Sequence, residues 1–216
     1  MTTPNLPATL PAPDGGRRLW LLFGLGVLSI LPVGLASTVT IPLATAMSSP
    51  LAQLLTVAFL GSSLPEELMR FAVLYYVGMR WIGFTRPRDG LVFGVLVSLG
   101  FSCAENIFYA VSIGWATGLL KLTIATPIHL ALGVIMGSLL AVAAGSPSKR
   151  RSYTAYALAA PVLLHGTYDL VLLTALADGG AGAFARLALP VTCYLLVGAT
   201  AVLTVLRSRQ ASASAA

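Results

Sequence analysis

Residues 90–113 read GLVFGVLVSLGFSCAENIFYAVSI, and this stretch decides the class of fold. An α-helix needs about 20 consecutive, mainly apolar residues to cross the hydrocarbon core of a bilayer, and this run is long enough. Glu105 and Asn106 interrupt the run in its second half. The stretch therefore predicts a membrane-spanning helix that carries an acidic side chain inside the bilayer.

The composition of the whole chain supports the same class. Of its 216 residues, 57% are hydrophobic and 9% are charged, whereas charged residues make up about 25% of ordinary soluble domains. This composition excludes a disordered chain, a small disulfide-stapled domain and a soluble cytosolic enzyme. The only two cysteines, Cys103 and Cys193, lie in apolar runs and are not expected to form a disulfide. The chain is therefore predicted to be an integral membrane protein.

Other apolar runs on both sides of this helix complete the predicted fold, which is an all-α, polytopic transmembrane bundle of about six spans. Prolines and small polar residues predict a broken or re-entrant segment near residues 41–62. The predicted spans besides residues 90–113 are residues 19–39, 51–79, 119–144, 153–176 and 187–206.

The predicted domain organisation is simple. Residues 19–206 are expected to form a single transmembrane domain that carries the functional site. Residues 1–18 and 207–216 are expected to be disordered cytoplasmic tails, since they are polar or rich in small residues and show no periodicity. The first apolar run is interpreted as an uncleaved anchor, because it is longer than the apolar region of a signal peptide.

The placement of the basic residues predicts the orientation in the membrane. With six crossings, ten of the 13 lysines and arginines fall on one side, which is typical of the cytoplasmic side. We therefore expect a multi-pass protein of the cell membrane with both termini in the cytoplasm. Nucleic acid is not an expected partner, because these charges lie in short loops between apolar runs. The ten residues are Arg17, Arg18, Arg80, Arg86, Arg88, Lys149, Arg150, Arg151, Arg207 and Arg209.

Ionisable residues inside the predicted spans are the strongest indication of function. A charged side chain at the centre of a membrane helix costs about 2.5–3.5 kcal/mol on insertion scales, so several such residues are expected to satisfy one another. At 1.5 Å per helical residue, four of them lie about 18–22 Å from the cytoplasmic ends of four different spans, namely Glu66, Glu105, His129 and His165. A shared depth predicts one common site. The six residues are Glu66, Glu67, Glu105, His129, His165 and Asp169.

Local spacing suggests which of these side chains support others. Arg70 follows Glu67 by three residues and Glu66 by four, so it can pair with either on the helix surface. His165 and Asp169 are four residues apart and share a helix face, as expected for a histidine oriented by a carboxylate. We therefore expect Arg70, Asp169 and also Asn106 to support the site.

Imidazole and carboxylate groups in one pocket predict activation of water. Such groups hold Zn²⁺ with an open coordination position, and a spare glutamate can act as the general base. The same groups can activate water without a metal, so the residues leave both chemistries open. Purely structural pairs between helices are the alternative for each residue taken alone.

The order of the motifs resembles that of a known family. A Pro65-Glu66-Glu67-x-x-Arg70 motif is followed on successive spans by Phe101-x-x-x-Glu105-Asn106, His129-x-x-x-Gly133 and His165-x-x-x-Asp169. This order resembles the PrsW family of bacterial intramembrane proteases, which are distantly similar to the CAAX prenyl endopeptidases. The likeness covers roughly residues 60–170, and Arg70 stands where the family usually has lysine.

The resemblance implies a metallo-type peptidase that cuts membrane-associated proteins, in some members anti-sigma factors. It implies that Glu66 and Glu67 are catalytic carboxylates and that Glu105, His129 and His165 complete the active site. Combining it with the residues, we expect Glu66 or Glu67 to be the general base, and Glu105, His129 and His165 to be the zinc ligands. The alternatives are a metal-free glutamate peptidase, a proton- or ion-coupled transporter and an inactive scaffold. The oligomeric state is left open.

Overall fold

The computed structural model describes residues 14–84 and 87–177, and within these ranges the chain forms helices and no β-strand. The expected all-α class is therefore confirmed. The elements, in chain order, are α1 (Gly15–Leu28), α2 (Ile30–Thr45), α3 (Pro50–Leu55), π1 (Thr56–Ser63), α4 (Leu64–Ala72), π2 (Val73–Ile82), α5 (Pro87–Ser112), α6 (Trp115–Gly145) and α7 (Arg150–Ala177). The two elements named π1 and π2 are π-helical.

Within the part of the chain that the structure describes, four helices are long and apolar enough to cross a membrane: Gly15–Thr45, Arg88–Ser112, Trp115–Gly145 and Arg150–Ala175. The protein is thus a multi-pass membrane protein. The helical run of residues 50–82 is not among the four and contains the buried, charged residues Glu66, Glu67 and Arg70. The predicted span at residues 187–206 lies outside the described residues, so a total of six spans stays a prediction.

The first long helix is formed by α1 and α2, which meet at Ser29. The hydroxyl of Ser29 donates to the carbonyl of Gly26 at 2.6 Å. The predicted break between the first two spans is confined to residues 46–49. Residues 41–45 continue α2 despite Pro42, because a membrane helix must pair its backbone groups internally and tolerates a proline at local cost.

The run of residues 50–82 is one uninterrupted helix in which α-helical and π-helical turns alternate. Ser49 caps its start by accepting a hydrogen bond from the backbone N–H of Ala52 at 3.4 Å. The run ends at Gly83, whose φ of 84° is a conformation that glycine adopts easily. The short helix α4 lies between π1 and π2, and it carries Glu66, Glu67 and Arg70. Wide π turns are frequent at functional sites.

Glycines allow α5 and α6 to pack in backbone contact. A Cβ atom on Gly90 or Gly94 would overlap the carbonyl of Gly137 or Gly133, respectively, on the neighbouring helix. Such close approach is typical of membrane helices, which associate through small residues. The contact holds the inner faces of α5 and α6 at a fixed distance, and those faces carry Glu105 and His129.

Candidate functional site

Helix α4 contributes an acidic pair and the arginine that neutralises it. Arg70 forms an ion pair with Oε1 of Glu67, and both side chains are fully buried. Nη2 of Arg70 is 3.9 Å from Oε2 of Glu66. Nη1 donates to the hydroxyl of Ser98 at 3.4 Å and to the carbonyl of His129 at 3.5 Å. Arg70 therefore holds Glu67 in place and ties α4 to α5 and α6.

Helix α7 places His165 between the acids of α4 and its own Asp169. Nδ1 of His165 is 2.9 Å from Oε1 of Glu67. Nε2, on the opposite side of the ring, is 3.5 Å from Oδ2 of Asp169 and 3.9 Å from Oε2 of Glu66. Oδ2 of Asp169 also accepts a hydrogen bond from Ser62 at 2.6 Å. One nitrogen of His165 is thus held by Glu67, and the other faces Glu66 and Asp169.

Helix α6 supplies the second histidine, which is oriented by α5. Nε2 of His129 is 3.0 Å from Oε2 of Glu105. The other oxygen of Glu105 pairs with Nζ of Lys121 at 2.7 Å, and Lys121 is also 4.0 Å from the centre of the Tyr109 ring. Nδ1 of His129 is buried and has no hydrogen-bond partner among the described residues. His129 therefore presents one free ring nitrogen to the interior.

The two histidines and Glu66 converge on one point. The ring centres of His129 and His165 are 5.1 Å apart, with the rings nearly perpendicular. One potential ligand atom from each of Glu66, His129 and His165 lies within 4.8 Å of the others. Oε2 of Glu66, like Nδ1 of His129, is buried without a hydrogen-bond partner in the described ranges 14–84 and 87–177. One carboxylate and two imidazoles in this arrangement match the donor set of a catalytic zinc site.

The five residues expected in the active site all belong to this cluster, although they come from four helices. Glu105, however, contacts Nε2 of His129 and is not one of the three residues whose ligand atoms converge. Asn106, expected to support the site, donates to the hydroxyl of Thr126 at 2.9 Å, and Thr126 in turn is 2.7 Å from the hydroxyl of Ser102. Asn106 therefore links α5 to α6.

Two residues of the cluster were not anticipated from the sequence. The charge pattern places Lys121 only on the side of the membrane opposite the ten basic residues, at the start of the predicted span 119–144, but its side chain is only 23% exposed and reaches Glu105. A single lysine within an apolar helix is the signal that could have indicated a buried partner. Ser62 was interpreted only as part of a helix break. No sequence signal separates a serine that interrupts a helix from one that also donates a hydrogen bond to a buried carboxylate, as Ser62 does to Asp169.

The fold and the cluster together define a class of protein: polytopic helical membrane proteins with a buried carboxylate–histidine site. Within this class, the chain belongs to the PrsW family, because the family model described as "PrsW family intramembrane metalloprotease" matches residues 16–204. The resemblance inferred from the motifs is thereby confirmed.

Individual relatives agree with this assignment. The chain is similar to Protease PrsW of Bacillus subtilis, with 37% identity over 123 residues that cover 56% of each protein. It is 36% identical to Protease PrsW of Halalkalibacterium halodurans over 116 residues, or 54% of each protein. With Protease PrsW of Oceanobacillus iheyensis, it shares 29% identity over 157 residues, or 71% of each. The chain spans about half the length of the first two relatives. No solved structure matches the chain.

Proposed function

We propose that this protein is an intramembrane metallopeptidase that hydrolyses peptide bonds of membrane-associated proteins. The observation that carries the proposal is the convergence of Glu66, His129 and His165 within 4.8 Å. Two atoms of this group, Oε2 of Glu66 and Nδ1 of His129, are buried without hydrogen-bond partners from the part of the chain that the structure describes. Such orphaned polar atoms are costly, and a bound cation would satisfy both. Family membership supports the same activity.

The proposed metal is zinc, and its proposed ligands are Glu66, His129 and His165. This set replaces Glu105, the carboxylate expected from the sequence, with Glu66. Three nitrogen and oxygen ligands with an open position are typical of catalytic zinc. When bound, zinc supplies Lewis acidity, which acidifies water and polarises a carbonyl group.

Two carboxylates outside the ligand set would orient the histidines. Glu67 accepts a hydrogen bond from Nδ1 of His165, which leaves the lone pair of Nε2 directed to the site. Glu105 does the same at Nε2 of His129, which leaves the lone pair of Nδ1 free. Arg70 neutralises Glu67, and Lys121 neutralises Glu105. Each histidine would thus be held in one tautomer by a carboxylate that is itself paired with a cation.

Asp169 is the carboxylate that we propose as the proton acceptor. The sequence suggested Glu66 or Glu67, but Glu67 is engaged by Arg70 and His165, and Glu66 belongs to the proposed ligand set. The side chain of Asp169 is 15% exposed, and Oδ2 lies 3.5 Å from Nε2 of His165. In this position Asp169 would take a proton from the attacking water and later transfer it to the leaving amine.

The cellular setting is proposed from charge placement and family membership. We propose that both termini lie in the cytoplasm, that residues 19–206 form one membrane domain between the tails 1–18 and 207–216, and that the partners are the bilayer and membrane-anchored substrates of the anti-sigma-factor type. A proton- or ion-coupled transporter is the rival function, because buried carboxylates and histidines also form proton relays.

The test combines metal analysis with peptide cleavage by the purified, full-length chain in detergent. We expect about one zinc per chain. Glu66→Gln, His129→Ala and His165→Ala should lose both zinc and cleavage. Asp169→Asn should keep zinc and lose about 10²–10⁴-fold in cleavage rate, the usual contribution of a general base.

The control is Asp14→Asn, since Asp14 is an acid with a 74% exposed side chain outside the cluster. This variant should behave like the wild type. Cleavage that persists in metal-free protein would transfer the base role to Glu66 and refute the metal site. Proton flux in liposomes without any cleavage would support the transporter.

A further inference from the structure

Ser62 lies near the end of π1 and connects that element to helix α7. Its hydroxyl donates to Oδ2 of Asp169 at 2.6 Å, although the two residues are 107 positions apart. The same hydroxyl is 3.1 Å from Oε1 of Glu66, which follows four residues later in α4. One small side chain therefore touches both the proposed proton acceptor and a proposed zinc ligand, although it belongs to neither group.

The two carboxylates compete for a single hydroxyl proton. A serine hydroxyl has one proton to donate and two lone pairs. Its contact with Asp169 has the length of about 2.5–2.7 Å that is usual when a hydroxyl donates to a charged carboxylate, and the contact with Glu66 is longer, 3.1 Å against 2.6 Å. The geometry therefore favours Asp169 as the acceptor of this proton.

Asp169 has few other groups to hold its carboxylate. Nε2 of His165 lies 3.5 Å from Oδ2, but with the proton of His165 on Nδ1, towards Glu67, Nε2 has a lone pair and nothing to donate. Within the part of the chain that the structure describes, no lysine or arginine pairs with Asp169, and Ser62 is its hydrogen-bond donor. The orientation of Asp169 therefore depends on Ser62.

The packing of π1 against α7 supports this contact. A Cβ atom on Gly166 of α7 would lie 2.3 Å from the ring of Phe59 in π1, so the two elements meet closely at this point. Ser62 follows Phe59 by three residues, and Asp169 follows Gly166 by three. The hydrogen bond between Ser62 and Asp169 thus lies about one turn along each chain from a tightly packed contact.

We propose that Ser62 is a positioning residue for hydrolysis, which acts through Asp169 by holding its carboxylate beside His165. The inference rests on the proposed function. A neutral hydroxyl suits this role, because it orients the carboxylate without adding a positive charge that would oppose the incoming proton. A hydroxyl also accepts hydrogen bonds, so Ser62 stays a partner while Asp169 holds the proton taken from water, before that proton passes to the leaving amine.

Steady-state kinetics of the purified, full-length chain in detergent test the role. The probe is a fluorogenic peptide of about 20 apolar residues. Ser62→Ala should lower kcat by about 10–100-fold, the usual cost of losing an outer partner of an active-site group, and leave KM and zinc content within about twofold. Ser62→Thr keeps the hydroxyl and should restore most of kcat, since Ser62 lines a cavity of about 430 Å³ with room for a methyl group.

Ser63→Ala is the matched control. Ser63 is the next residue of π1 and is fully buried, and its hydroxyl donates to the carbonyl of Phe59 in the same element at 3.4 Å. The variant loses the same oxygen atom, but the hydrogen bond that it loses stays within one helical turn. Its kcat should remain within about twofold of that of the wild type, because such bonds of a serine to its own helix contribute little to stability.

A double-mutant cycle tests the contact without measuring activity. Ser62→Ala, Asp169→Ala and the double variant are compared with the wild type by thermal unfolding of metal-free protein in detergent. Ser62→Ala should lower the melting temperature in the wild-type background and have a clearly smaller effect when residue 169 is already alanine, because residues in contact are not additive. Equal effects in both backgrounds would show that Ser62 does not act through Asp169.

The other outcomes separate this inference from the proposed function. A wild-type kcat in Ser62→Ala, together with an impaired Asp169→Asn variant, would refute the positioning role and retain the peptidase. A wild-type chain that cleaves no peptide would refute the proposed function, and the role of Ser62 would be refuted with it. Loss of zinc from Ser62→Ala would transfer its action to Glu66, and covalent labelling of Ser62 by a fluorophosphonate would make it a nucleophile; either result would overturn the proposal.

Discussion

At the scale of single residues, the site consists of two matching arms. On one arm Arg70 neutralises Glu67, which holds Nδ1 of His165. On the other, Lys121 neutralises Glu105, which holds Nε2 of His129. In both cases the cation makes it less costly to bury the carboxylate, and the carboxylate then fixes a histidine.

The Lys121 arm leads to a prediction about metal affinity. Lys121→Met leaves Glu105, the partner of His129, without its cation, and it should weaken zinc binding by up to about 10–100-fold, the typical effect of losing the outer partner of a liganding histidine. Competition with a chromogenic chelator measures the affinity. Lys121→Arg should restore most of it by keeping the charge.

Lys149→Met is the matched control, since Lys149 is an exposed lysine in the loop between α6 and α7. Its zinc affinity should equal that of the wild type. Equal affinities for all three variants would show that Lys121 does not act on His129 through Glu105.

The sequence predicted one arm better than the other. The three-residue spacing of Glu67 and Arg70 lies within one helix, so their pairing follows from helical geometry. Lys121 and Glu105 lie on different helices, and their contact depends on how α5 and α6 are rotated about their axes. Spacing along the chain contains no information about that rotation.

At the scale of elements, the distance between α5 and α6 governs the site. Gly133 lies one turn after His129 on α6, and it contacts the backbone of Gly94 on α5. The hydrogen bond between Glu105 and His129 spans the same pair of helices. A change of helix separation at the glycines is therefore expected to reach the proposed ligand His129.

Gly133→Val tests this dependence. Its side chain would overlap the carbonyl of Gly94, so the helices must separate. We expect a destabilisation of about 1–3 kcal/mol or more, together with reduced zinc binding. Thermal unfolding in detergent and metal analysis measure the two effects.

Gly145→Val is the control on the same helix, because a Cβ at Gly145 meets no atom of the described residues within 4 Å. Its melting temperature should stay close to that of the wild type. A Gly133→Val protein as stable as this control would contradict the close packing of α5 and α6.

At the scale of the whole molecule, the charge pattern predicts on which side of the membrane each loop lies. If the helical run of residues 50–82, α5 and α6 each cross the membrane once, the turn at residues 46–49 and the loop at residues 146–149 lie on opposite sides. The second loop leads into Arg150 and Arg151, and such basic residues favour the cytoplasmic side.

Thiol labelling with a membrane-impermeant reagent tests this topology. In a background without Cys103 and Cys193, Ser48→Cys should react in intact cells. Ser148→Cys should react only after permeabilisation. Both serines are exposed and lie in loops, so the comparison is matched. Labelling of both cysteines from the same side would refute the predicted number of crossings between them, and the reverse pattern would invert the orientation.

The sequence alone determined that the chain is a helical membrane protein and that its buried acids and histidines form one site. The hydropathy of a run of residues predicts a membrane helix, and the cost of burying a charged side chain in that helix predicts that it has a partner. Both quantities can be read from the order of residues along the chain. Only the tertiary structure decided which atoms meet. Glu67 and His165 are 98 positions apart, and the three residues whose ligand atoms converge are Glu66, His129 and His165, without Glu105. These contacts depend on how the packed helices are rotated and how far apart they lie, and the local spacing of residues along the chain does not contain that information.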